Sequence, residues 1–124
     1  MTQEDKELLL KDLCARFPYK VICRLSGDGA EITEQLQLGG LGQFMYGRID
    51  VKPYLRPMSS MTEEELREFK TLEKQCESLP TFAYISVSSC ILFDWLNSHH
   101  FDYRGLIECG LAIEVTEENN PYKE

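Results

Sequence analysis

The chain is 124 residues long, 43% apolar and 27% charged, with a formal net charge of −8. This length suits one domain and buries enough surface to fold without a disulfide or metal staple. An acidic balance is repelled by phosphate backbones, which disfavours direct nucleic-acid binding, and no apolar run approaches the roughly 20 residues of a membrane span.

The opening stretch, MTQEDKELLLKDL, carries acids and no basic n-region, so a signal peptide is not expected and the location reads as cytoplasmic. It predicts a helix capped by Thr2, with Asp5 at the reciprocal capping-box position. Leu9, Leu10, Leu13 and Phe17 recur at helical spacing, and Leu8 widens the stripe. Pro18 ends the run and pushes Phe17 toward extended backbone. YKVICRL (19–25) and AEITEQLQL (30–38) both alternate, and Ser26-Gly27-Asp28-Gly29 between them supplies turn residues, so the pair predicts a β-hairpin. Gly39, Gly40 and Gly42 loosen the chain without the lysine and hydroxyl of a phosphate-binding loop. A third strand is expected over 44–51. Pro53 and Pro57 then make 51–61 an edge, a turn or an extended crossing.

T-E-E-E after Met61 places Thr62 and Glu65 in a capping box, with Met61 positioned to staple onto Leu66. The helix it opens should run from Glu63 to about Ser78 and bury Leu66, Phe69, Leu72 and Cys76. FAYISV (82–87) reads as a short strand, and Ser88 as the cap of a helix carrying Ile91, Leu92, Trp95 and Leu96 that frays at Asn97 and Ser98. Asp102 is the expected cap of a short helix from Tyr103 to Glu108, ended by Gly110 in the left-handed conformation. LAIEV (111–115) adds a last strand. The expected architecture is α+β: a small, mostly antiparallel sheet of three or four strands packed against three or four helices over 1–116, followed by a polar tail, 117–124.

Charge is uneven along the chain. Residues 1–62 hold 8 basic and 8 acidic side chains, whereas 63–124 hold 5 basic and 13 acidic ones. The acidic half suits a basic partner or an imitation of nucleic acid, although a solvated surface is the simpler account. The five cysteines include no C-x-x-C pair and read as reduced thiols packed as small apolar side chains.

HHFDYRG (99–105) gathers residue types that do acid–base chemistry. Neighbouring helical residues point about 100° apart, and strand neighbours point to opposite faces, so regular structure does not bring both imidazoles to one ion. Cys90, Asp94, Asp102 and Cys109 lie near but match no zinc spacing, and Ser59 and Ser60 sit in no nucleophile motif. No catalytic residue, metal or cofactor is assigned. The candidate partner surface is Lys52, Tyr54, Arg56, Ser59 and Ser60, with His99, His100, Asp102, Tyr103 and Arg104, because tyrosine and arginine most often anchor interfaces.

VKPYLRPMSSMTEEE and DWLNSHHFDYRGLIECGLA, with PYKVICR near the start, resemble a family of small proteins without assigned activity from gut Bacteroidetes and their phages and prophages. Residues 26–48 and 78–90 lie outside the resemblance. It implies an accessory protein of a phage or mobile element working in the bacterial cytoplasm, and it carries over no catalytic residue. The functional expectation is therefore a non-enzymatic protein-interaction or regulatory protein. One alternative is an acidic nucleic-acid mimic that inhibits a host defence protein. Another is a small-ligand or metal-dependent enzyme or sensor using His99, His100 and Asp102.

Overall fold

The structure, a computed structural model, describes residues 1–78 and 81–123, with backbone alone over 81–89. Helix α1 (Gln3–Arg16) begins at the expected capping box: Asp5 N–H donates to Thr2 Oγ1 at 3.0 Å, and Thr2 N–H donates to the Asp5 carboxylate at 3.4 Å. Leu9 and Leu13 on its inner face are fully buried. Phe17 does not become extended. It continues into a 3₁₀ turn, Phe17–Tyr19, and the chain reverses at Lys20, whose φ is +59°.

The hairpin forms as expected from β1 (Ile22–Gly27) and β2 (Ala30–Gln35). Asp28 and Gly29 both take positive φ, the two-residue turn whose twist matches paired strands. The glycine-rich stretch is a helix, α2 (Leu38–Met45), rather than a loop leading into a strand. Leu41 and Phe44 bury against the sheet, and Gly40 permits the approach, since a Cβ there would meet Leu25 Cδ2 at 3.1 Å. Packing outweighs the low helix propensity of glycine.

The expected third strand starts later and is central to the sheet. β3 (Asp50–Pro57) pairs antiparallel with β1 through Asp50–Pro53, then parallel with β5 (Ile113–Glu114) at Tyr54–Leu55 and with β4 (Phe101–Asp102) at Arg56–Pro57. The order is β2-β1-β3-β4, with β5 also on β3. The Leu55–Arg56 peptide points its carbonyl at Val115 N–H and its N–H at the His100 carbonyl, both at 2.8 Å. A planar trans peptide aims these groups in opposite directions, so β5 and β4 clasp β3 from opposite edges. The two prolines are tolerated because they fall where β3 changes partner or ends.

Helix α3 (Glu63–Glu77) starts at the Thr62–Glu65 capping box, with Glu65 N–H to Thr62 Oγ1 at 3.1 Å and Thr62 N–H to Glu65 Oε1 at 2.9 Å. Met61 packs toward Trp95 and Phe101, and Leu66, expected in the buried stripe, stays exposed. Helix α4 (Thr81–Ser98) covers both the segment expected as a strand and the helix expected after it, so Ser88 is mid-helix and Ser98 still helical. A short apolar run does not distinguish strand from buried helix by its pattern, and packing against α3 decided here. The break expected at Leu79-Pro80 lies outside the described residues.

Two apolar clusters result. The larger joins α1, the hairpin, α2, β3 and Leu106–Ala112; the smaller is Trp95, Leu96 and Phe101, with Met61, Phe69, Leu72 and Tyr103 against it. Residues 103–108 form turns rather than a helix, and Gly110 takes the expected positive φ. Of the cysteines, only Cys23 and Cys76 are buried; Cys14, Cys90 and Cys109 are exposed. Residues 117–124 were expected as a free tail, yet Tyr122 docks on the domain, its hydroxyl donating to the Tyr54 carbonyl and accepting from the Ile22 N–H. Among the described residues, no helix is long and apolar enough to cross a membrane.

Candidate functional site

The β3–β4 pairing brings the two candidate stretches together, Arg56 beside Phe101 and Pro57 beside Asp102. Most of their polar side chains are consumed in making that junction. Arg56 forks onto Glu65, Nη1 to Oε2 at 2.8 Å and Nη2 to Oε1 at 2.7 Å, and its guanidinium lies 4.2 Å from the Phe101 ring centre. The Arg56 hydrogen bond, with support from the Thr62 N–H, holds the Glu65 carboxyl down to about 2. Glu65 thus serves one capping box and one ion pair together. Tyr54 is 6% exposed and belongs to the core, not to a contact surface.

His99 stacks on Trp95 at 4.1 Å, and its Nδ1 lies 2.9 Å from the Trp95 carbonyl oxygen at the end of α4. His100 has φ +63°, which turns the chain from α4 into β4. Histidine is among the few side chains enriched at such positions. Its ring stacks on Tyr122 with centroids 3.8 Å apart. Burial first, then the nearby Arg16, His99 and Arg56 charges, lower its pKa to about 4, so it is neutral at pH 7. Asp102 accepts from Leu106 N–H at 2.9 Å and Ile107 N–H at 3.0 Å, so the expected cap closes a turn instead of a helix. The three residues of the enzyme or sensor reading are therefore held in three separate structural roles. Among the described residues, no group of three His, Cys, Asp or Glu is placed to hold a metal ion.

The polar centre of this junction was not visible in the candidate stretches. Asp12 and Arg16, one turn apart on α1, are both fully buried, with Arg16 Nε to Asp12 Oδ2 at 2.8 Å. Arg16 Nη2 donates to the Phe101 carbonyl at 2.6 Å, and Arg104 Nη1 reaches Asp12 Oδ1 at 2.8 Å. Tyr103 lies against both guanidinium groups and donates to Asn97 Oδ1 at 2.9 Å. Two buried nitrogens, Arg16 Nη1 and His100 Nδ1, have no partner among the described residues. The signal was in the sequence: residues 9, 12, 13 and 16 share one helical face, so Asp12 and Arg16 interrupt the leucine stripe.

What stays open to solvent is a groove of about 580 Å³ beside the junction, lined by Met58, Ser59, Tyr103, Ile107 and Glu108. Lys52, Ser59 and Ser60 are exposed, with Lys52 on a different concavity from Ser59. The acidic face of α3 is mixed: Glu65 is taken by Arg56, Glu68 accepts from Trp95 Nε1 at 2.8 Å, and Arg67, Lys70 and Lys74 stand exposed among the remaining acids. No family model, curated protein or solved structure matches the chain.

Proposed function

We propose that this chain is a non-enzymatic protein-interaction or regulatory accessory protein of a phage or mobile element, acting in the bacterial host cytoplasm. The observation that supports a contact role is the groove where the two stretches meet. Met58, 40% exposed, offers an apolar anchor point, and Tyr103 and Ile107 line the wall behind it. Glu108 and Glu114 leave the rim acidic, which suits a protein partner presenting an apolar side chain flanked by basic groups. The resemblance of the same stretches to a phage-associated family supplies the context.

Tyr54 and Arg56 are unsuitable for a test because Tyr54 is buried in the core and the Arg56 guanidinium is already engaged by Glu65 and Phe101. The informative variants are Met58→Glu and Ser59→Arg, compared with Glu73→Lys on α3, in capture from a bacterial lysate. Proteins retained by the parent and by Glu73→Lys but lost by both groove variants support the reading. Unchanged recovery by the groove variants overturns it, as does loss with Glu73→Lys alone, which belongs to the nucleic-acid mimic.

A further inference from the structure

The outer edge of the sheet carries a second surface that the groove reading does not use. β2 is the last strand on its side, and all six of its residues are exposed. Its unpaired backbone groups can be assigned. Leu36 N–H donates to the Val21 carbonyl, and Gly27 and Ala30 close the two-residue turn. By alternation the amides of Ile32 and Glu34 face β1, and those of Glu31, Thr33 and Gln35 face away from the sheet. The stretch AEITEQ has no proline and no lysine, and its register with β1 is unbroken by a bulge, so Glu31 and Glu34 are the features that guard this edge and set what it accepts.

One face of β2 also looks into a shallow groove of mixed apolar and acidic lining. Ala30, Ile32 and Glu34 share that face, and Gly39 and Gly40 at the start of α2 form the far wall, enclosing about 410 Å³. α2 covers β1 through Gly40 on Leu25 but leaves Ile32 54% exposed and Leu38 73% exposed. The charged members of the lining are Asp28 and Glu34, with no cation among them, and neither forms an ion pair among the described residues. On the opposite face of β2, Glu31 meets Arg24 at 3.3 Å in an exposed contact.

We propose that the β2 edge is a strand-addition site for an extended segment of a protein partner that carries an apolar side chain flanked by basic ones. Its backbone pairs with the free amides and carbonyls of Glu31, Thr33 and Gln35. An apolar side chain opposite Ile32 enters the groove toward Gly39 and Gly40, and basic side chains stand opposite Glu34 and Glu31. Main-chain pairing supplies affinity and the alternate side chains supply selection. A second copy is a poorer match for these acids: an antiparallel β2–β2 pair with Thr33 opposite Thr33 sets Glu34 across from Ile32 and Glu31 across from Gln35, so AEITEQ brings neither acid a cation.

The test uses the full chain and a capped, soluble peptide alternating lysine, threonine and valine, with a matched peptide carrying glutamate in place of lysine. Amide hydrogen exchange and backbone NMR shifts are the readouts. The expected result is protection of the Thr33 and Gln35 amides by the lysine peptide, with binding about tenfold weaker for the glutamate peptide. Glu31→Lys with Glu34→Lys should reverse that preference. Thr33→Pro removes an outward donor only, which an edge strand tolerates, and should abolish binding while the chain stays folded. Ile32→Ala should weaken binding without touching the backbone, and covers the case in which the proline variant fails to fold. Met58→Glu should leave peptide binding unchanged, which separates this site from the groove. No protection by the lysine peptide, equal binding of both peptides, or a dimer of the parent chain in sedimentation that Thr33→Pro dissolves would each overturn the proposal.

Discussion

Arg16 and Arg56 hold the same residue from two sides and do so in opposite environments. Arg16 donates to the Phe101 carbonyl from complete burial, paired with an Asp12 that is equally buried. Arg56 lies over the Phe101 ring from the surface, its side chain 23% exposed and forked onto a Glu65 that is 16% exposed. In the first case the charges have given up their hydration, so each depends on the others: Asp12 serves Arg16 and Arg104 together. In the second, water reaches the pair and replaces a lost partner. The same residue chemistry thus makes a structural keystone at one site and a modest clamp at the other.

The sharpest way to break the comparison is to remove Asp12. Asp12→Ala should cost about 3–5 kcal/mol in urea unfolding, because it leaves Arg16 buried without its anion. Replacing the pair together, Asp12→Leu with Arg16→Met, should cost less than Asp12→Ala alone. A loss below about 1 kcal/mol for the single change would put Asp12 in the same class as an exposed pair.

Tyr122 tests how far the buried region extends into the last residues. Its hydroxyl donates to the Tyr54 carbonyl at 2.8 Å and accepts from Ile22 N–H at 3.0 Å. Tyr122→Phe leaves both backbone groups without that partner and should cost about 1–3 kcal/mol. An unchanged midpoint would mean the segment is not docked.

Acid should resolve the two arginine environments by pH window. His100, near Arg16, binds its proton at about 4 when folded against 6.5 in its ordinary state. Between those values the unfolded chain holds more protons, so stability is complete above pH 6.5 and falls as pH drops toward 4. His100→Gln should flatten that slope. Glu65, clamped by Arg56, titrates at about 2 instead of 4.5, so its contribution is present above pH 4.5 and is lost as pH falls toward 2. Arg56→Leu should remove the lower slope and leave the upper one. Denaturant midpoints measured from pH 7 to pH 2 separate the two.

Thiol labelling carries the smallest perturbation. Cys14, Cys90 and Cys109 should react in the native protein. Cys23, whose thiol burial pushes up to about 12, and the buried Cys76 should react only after denaturation. Rapid labelling of Cys23 would show that β1 opens locally.

The candidate surface was legible in part. The proline segment and the HHFDYRG stretch do meet, and Ser59 and Tyr103 line one groove. Of the residues expected there, Tyr54 and Asp102 are buried and Arg56 and His100 half-buried, because nothing local distinguishes a polar side chain that meets solvent from one that meets a distant partner. Arg16 and Phe101 are 85 positions apart, and Arg104 and Asp12 are 92 apart.

What the order of residues determined by itself is everything settled within a few positions. The capping boxes at Thr2 and Thr62, the Asp28-Gly29 turn and the left-handed Gly110 each satisfy backbone groups with neighbours in the chain, so their chemistry is complete locally. The tertiary structure alone decided that AEITEQ lies at an edge and VKPYLRP at the centre, that the glycine stretch coils, and that FAYISV joins a long helix. Those outcomes depend on which apolar face finds a partner and which backbone donor finds a distant acceptor. Such contacts enter the free energy only once the chain has closed on itself.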